Sequence, residues 1–192
     1  MNDSQLKIVN ISSKAFKKEL LVSSKEVVTL YAFLKEEIAS EVMIINTNIG
    51  LDIYYDDIHD HEGFIVNAFL LLAACKGKSK DHYFINSFKT PEDIKMETYR
   101  LFEKLIKNPL LFKSYSKSLC HQLNANYITS TSIVNELLGL WQDALFHIDT
   151  KQSLSHTIIY NFSKFEDSYF EKASKPLLQK LINESLSETR SN

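Results

Sequence analysis

Phe64-Ile65-Val66-Asn67-Ala68-Phe69-Leu70-Leu71-Leu72-Ala73-Ala74-Cys75 contains a single polar residue, Asn67. A helix that is apolar all round has no side that water tolerates, so the pattern predicts a helix covered on every face. At ~1.5 Å per residue the run falls well short of the ~30 Å hydrocarbon core of a bilayer. The stretch therefore reads as a central core helix, over about residues 63–76, and not as a membrane span.

The surrounding composition points the same way. The chain has 192 residues, 44% of them hydrophobic and 24% charged, with four glycines and three prolines. Few Gly and Pro residues favour long helices joined by short connections, because β-rich domains need many turns. The expected fold is all-α: a single-domain helical bundle of about seven to nine helices packed around the central helix. Residues 1–12 read as a flexible or partner-docking arm, 13–186 as one all-helical domain, and 187–192 as a disordered tail.

Helix signals support particular elements. Ser23 followed by Glu26 has capping-box spacing, and Val27, Leu30, Tyr31, Leu34, Ile38, Val42 and Ile45 then recur at helical steps. Thr90-Pro91-Glu92-Asp93 combines an N-cap, a first-turn proline and first-turn acids. Lys76-Gly77-Lys78 supplies a stop for the central helix. Further helices are expected over Ser13–Val22, briefly within Asp81–Phe88, over Leu110–Leu123 and Ile133–Ile148, and from Ser153 onward.

Charge and motif content exclude several functions. Net charge is −2 and no basic stripe is present, which argues against a nucleic-acid partner. The N-terminal residues lack the apolar run of a signal peptide, and Cys75 and Cys120 read as buried reduced thiols, so the expected location is cytoplasmic. The chain has no P-loop, no Gly-rich dinucleotide fingerprint and no Gly-x-Ser-x-Gly elbow. A Glu-x-x-His pair of the di-iron type does not occur. His59-Asp60 is without the upstream metal-binding His that HD-type phosphohydrolases require.

The densest polar cluster is Asp56-Asp57-Ile58-His59-Asp60-His61-Glu62, immediately before the apolar run. On a helix, Asp57, Asp60 and His61 would share one face at i, i+3 and i+4, a ligand set for one transition metal. The simpler reading is that these acids cap the following helix and complement its dipole. Among 12 Phe and nine Tyr, Tyr54, Tyr55, Tyr160, Phe162, Phe165, Tyr169 and Phe170 lie in polar company near element ends, where aromatics anchor protein interfaces.

With no catalytic signature, the leading expectation is a non-enzymatic adaptor, a scaffold subunit or secretion-type chaperone. It would hold a partner protein's helix in an apolar groove and need no cofactor, and a homodimer is compatible with it. Two alternatives stand beside it. One is a metal-dependent enzyme using the 56–62 cluster. The other is a small-molecule-sensing helical regulator, which resembles the ligand-sensing half of bacterial repressors in size and helicity.

Overall fold

The computed structural model describes residues 6–15, 20–108, 110–112, 114–115, 122 and 131–149. The chain divides into Met1–Lys151 and Gln152–Asn192, and every described residue belongs to the first unit. Its elements in order are β1 (Leu6–Ser13), α1 (Ser24–Glu37), β2 (Val42–Thr47), β3 (Gly50–Asp56), α2 (Glu62–Ala74), β4 (Tyr83–Phe88), α3 (Pro91–Ile106) and α4 (Thr131–Asp149). A short 3-10 turn, Lys80–His82, leads into β4, and residues 110–112, 114–115 and 122 are helical.

The four strands form one antiparallel sheet in the order β2-β3-β1-β4. From β1 to β4 the chain thus runs βαββαβ, the split-βαβ topology of ferredoxin-like folds. Helices α1 and α2 pack on the first face, against Val9, Ile11, Val42, Ile44, Leu51, Ile53 and Tyr55. Helix α3 packs on β1, and α4 on β3 and on α3, at the second face.

The all-α expectation is overturned by this sheet, and a bundle of seven to nine helices does not describe the chain. The decisive misreading is local. Val42 and Ile45 continue the helical period of α1, but the helix stops at Glu37 and the chain is extended from Ile38, which is fully buried. Residues 42–47 are buried without exception, because helices cover both faces of the sheet. A strand covered on both faces reads as a continuous apolar run and shows no alternation. The hairpin is also silent in sequence. Thr47 pairs with Gly50 across the two-residue turn Asn48-Ile49, and no described non-glycine residue has a positive φ, so the Asn-Gly signature of primed turns is missing.

Gly50 is fixed instead by proximity. A Cβ there would stand 2.7 Å from the Ile11 carbonyl oxygen, so only glycine lets β1 and β3 approach at this point.

Other elements shift accordingly. Residues 6–12, expected in an arm, lie in β1, paired on one side with β3 and on the other with β4. The short helix expected within 81–88 is β4. Of the helix expected over 13–22, the described residues are not helical. The apolar stretch 64–75 is helical, but it is a layer and not a hub. Ile65, Val66, Ala68, Phe69 and Ala73 of α2 are buried on the sheet side, whereas Leu71 is 66% exposed. Cys75, expected in the core, is exposed at the end of α2. The expected helices beyond Ser153 and the tail at 187–192 lie outside the described residues.

The predicted caps of α1 and α3 are formed. The Ser23 amide donates to Glu26 Oε2 at 2.6 Å and the Glu26 amide to Ser23 Oγ at 3.3 Å. The Asp93 amide donates to Thr90 Oγ1 at 3.2 Å, with Pro91 in the first turn. Beyond α2, Gly77 takes a φ of +68° and the Lys78 amide returns to the Ala73 carbonyl at 3.0 Å. Among the described residues no helix is long and apolar enough to cross a membrane.

Candidate functional site

The two faces of the sheet differ in chemistry. Strand register places Ile45, Asp52, Asn10 and Asn86 side by side across the four strands on the second face. The next row on that face is Met43, Tyr54, Ile8 and Phe88. One row is therefore polar at three of its four positions, whereas the first face is mainly apolar, with Asn46 as its buried polar residue.

Asp52 is the unusual member of that row. It is 7% exposed, and its Oδ1 accepts a hydrogen bond from Asn10 Nδ2 at 2.6 Å across the strand pair. Burying a carboxylate is costly unless its lone pairs are satisfied, and one amide satisfies only part of them. Burial pushes the Asp52 carboxyl up to about 6; the Asn10 hydrogen bond opposes this shift, and the nearby Glu97 charge adds to it. The Tyr54 phenol is raised by its own burial and by the Asp52 charge, and Tyr115 in the same way, so both remain protonated.

Asp52 and Tyr54 face a cavity of about 260 Å³ between the second face and helices α3 and α4. Asp52, Asn10, Ser12 and Asn86 line it from the sheet. Ile8, Tyr54 and Phe88 from the strands, and Ile94, Leu101 and Trp141 from the helices, supply apolar wall. Glu97, Arg100 and Lys104 of α3 complete it; the Arg100 side chain is 69% exposed, so these long side chains stand towards solvent. A small cavity with an apolar lining, a few convergent polar groups and a perturbed carboxyl is the usual form of a ligand site.

The sequence builds this wall from helix period and anchors. Along α3, Ile94, Thr98, Phe102 and Leu105 are buried at helical spacing, and Glu97, Arg100 and Lys104 follow one another on an adjoining stripe. Asp143 of α4 accepts Tyr99 Oη at 2.9 Å and Lys95 Nζ at 2.6 Å, and the Tyr99 ring stacks on His147 with centroids 4.7 Å apart. The Glu41 carboxylate receives the Ser132 amide at 3.2 Å and the Ile133 amide at 3.0 Å, holding the start of α4. These contacts set the position of Trp141, which is 2% exposed.

The 56–62 cluster is organised differently from a metal centre. Asp57 accepts the His59 amide at 2.9 Å and the His59 ring at 3.1 Å, and His61 Nε2 lies 3.3 Å from its other oxygen without hydrogen-bond alignment. The His59 amide, with help from both His side chains, lowers the Asp57 carboxyl to about 2. Asp60 turns towards Lys89, whose Nζ stands 2.6 Å from Asp60 Oδ2 and 2.6 Å from Glu62 Oε2. Asp60 also accepts Tyr55 Oη at 3.3 Å and the Glu62 amide at 3.0 Å. Lys7 Nζ donates to the carbonyls of Asp57, Ile58 and His59. Asp57, Asp60 and His61 thus do not converge, and no group of three metal-ligating side chains occurs among the described residues. The capping reading fits the Asp60–Glu62 contact, although His61, the N-cap itself, makes no side-chain cap.

The aromatic residues predicted at an interface separate in the same way. Tyr54 and Tyr55 are 4% and 0% exposed, and their register places them on opposite faces of β3. Tyr160, Phe162, Phe165, Tyr169 and Phe170 lie outside the described residues. Sequence reasoning singled out Tyr54 alone as a site residue, and as an interface anchor, among the residues that line the cavity. Their signal is one polar residue amid apolar neighbours in each of three strands: Asn10 after Ile8-Val9, Asp52 between Leu51 and Ile53, and Asn86 after Phe84-Ile85. No protein-family model, curated protein or solved structure matches the chain.

Proposed function

We propose that this chain is a small-molecule-binding protein whose ligand sits between the second face of the sheet and helices α3 and α4. The observation that carries the reading is Asp52, a buried carboxylate that faces a cavity with Asn10 as its hydrogen-bond partner. A group that costs stability where it stands is explained when a ligand supplies the missing donor. The reading develops the small-molecule-sensing alternative, now on a mixed α and β scaffold. It is tested by screening a fragment library against the full chain by saturation-transfer NMR. Fragments that shift Trp141 fluorescence and lose binding in Asp52→Asn support it; a folded protein whose cavity takes no fragment speaks against it.

A second reading, the adaptor for a partner protein, is favoured by the outer side of the α1–α2 layer. Leu71 and Val28 are 66% and 68% exposed there, and Phe33, at 44%, stacks on Phe64 with ring centroids 5.2 Å apart. The fitting occupant is the apolar side of a partner helix. Its test is a stoichiometric partner that co-purifies with the native protein and is lost from Phe33→Glu, Leu71→Lys.

A further inference from the structure

We propose that the ligand of this cavity is a small zwitterion, an amino acid or a comparable amino-carboxylate, with its ammonium at Asp52 and its carboxylate at Arg100 and Lys104. The inference rests on the small-molecule reading above and adds the ligand class.

Three features support it together. The first is charge balance: the lining carries two acids, Asp52 and Glu97, and two bases, Arg100 and Lys104. A phosphate or a dicarboxylate would bring its charge to Asp52 and Glu97, and a simple organic cation would pass two cations on entry. A molecule with one charge of each sign meets its complement at both ends. The second is order in depth. Asp52 is buried in the sheet, whereas Arg100 and Lys104 are exposed on α3 at i and i+4, on one side of the helix. The interior of the cavity is therefore negative, and its mouth carries Arg100 and Lys104 against Glu97, one positive charge in excess.

The third feature is size and wall. About 260 Å³ lies just below the ~300–1,000 Å³ of sites for drug-sized molecules, which suits a metabolite and not a cofactor. Tyr54, Phe88 and Trp141 give an apolar and aromatic surface on which a side chain rests, and aromatic faces also favour a nearby ammonium. Asn10 holds one Asp52 oxygen and so orients the carboxylate, while the Asn86 amide and Ser12 hydroxyl beside it offer further hydrogen bonds to an ammonium or an α-substituent. Glu97 Oε2 lies 3.6 Å from Arg100 Nη1 on the exposed side of α3, a weak pair in which a ligand carboxylate would share or take the guanidinium.

The experiment uses the full chain and the proteinogenic amino acids as single probes. Binding is read by calorimetry and by the fluorescence of Trp141, the only Trp of the chain. For the tightest amino acid, three analogues follow: the N-acetyl derivative, the decarboxylated amine and the α-hydroxy acid. Loss of either charge is expected to weaken binding about tenfold or more, the size of one charge-assisted hydrogen bond. Asp52→Asn should weaken the amino acid by a similar factor and leave the N-acetyl derivative unchanged. Arg100→Met with Lys104→Met should weaken the amino acid and leave the decarboxylated amine unchanged. Because both bases are exposed, that pair carries the test even if Asp52→Asn does not fold. A probe that binds through Asp52 with no dependence on its carboxylate or on the two bases overturns the zwitterion and leaves the small-molecule reading standing. A folded protein that binds neither an amino acid nor any library fragment overturns both.

Discussion

Residues 52 and 53 are neighbours on β3 and face opposite sides of the sheet. Ile53 points into a layer closed over by α1 and α2 and built on Val9, Ile11, Val42, Ile44, Leu51 and Tyr55, where the buried amide of Asn46, near the β2–β3 turn, donates to the Val22 carbonyl. Asp52 points to the side where α3 and α4 leave a cavity and where Asn10 and Asn86 share its row. The first face is built to hold the fold together, because close-packed apolar surface supplies most of the stability. The second face gives up part of that stability for a charged group in a partly filled space. In marginally stable proteins such concessions concentrate at functional sites.

The comparison breaks most severely if the two positions are made alike. Ile53→Asp puts an unpaired carboxylate into the dry layer, and we expect it to cost about 4 kcal/mol or more and to leave the chain largely unfolded. Urea denaturation followed by circular dichroism reads the effect. A mild result, about 1 kcal/mol, would mean that the first face admits water or partners and that the contrast is overstated.

The opposite change tests the second face. Asp52→Asn keeps shape and the cross-strand contact but removes the charge, so without ligand it should stabilise the protein at pH 7. The raised carboxyl sets the sign. Its folded value of about 6 exceeds the ordinary carboxyl value of 3.8, so the folded state holds the proton more tightly. The charged form is penalised above about pH 6, the penalty fades as pH falls, and it is gone below the unfolded value. The shift corresponds to about 3 kcal/mol at most, and the gain from Asp52→Asn at pH 7 should approach 2–3 kcal/mol and vanish near pH 4. Asp57 and Glu26, both lowered to about 2, run the other way: their stabilisation is present at neutral pH and is lost as pH falls through the folded value. The difference between wild type and variant across pH isolates Asp52 from that background. A destabilised variant at pH 7 would show that the charge is already satisfied within the protein.

What sequence reveals follows the same division. The capping box at Ser23 and Glu26, the Thr90-Pro91 start of α3 and the Gly77 stop are local signals, set by groups a few residues apart, and each was readable. The strands were not, because their status depends on what covers them. Val42-Met43-Ile44-Ile45 shows no period when both faces are buried, and its spacing prolongs the pattern of α1 by coincidence. The cavity was hidden for the same reason: Asn10, Asp52 and Asn86 meet only through strand register, and Arg100 joins their cavity only through the packing of α3 on β1. The 56–62 cluster is dense in sequence, but its side chains diverge in space, since Lys89 from beyond β4 pairs with Asp60.

The smallest effect separates the two readings of the apolar stretch. As a hub helix covered on every side, α2 would bury Leu71 in the core, and Leu71→Lys would cost several kcal/mol. As the outer layer of a sheet, α2 leaves Leu71 66% exposed, and a surface change of this kind stays within about 0.5 kcal/mol. Lysine is a good helix former, so propensity adds little of its own. The control is Phe69→Ala on the inward side, where Phe69 is 1% exposed and packs edge-on against Tyr83 with ring centroids 4.9 Å apart; its loss should cost about 3–5 kcal/mol. A small difference between the two variants, measured in the same urea series, would return α2 to the interior. A large one leaves its outer side free, and Leu71→Lys then becomes the variant of choice for asking whether a partner helix covers it.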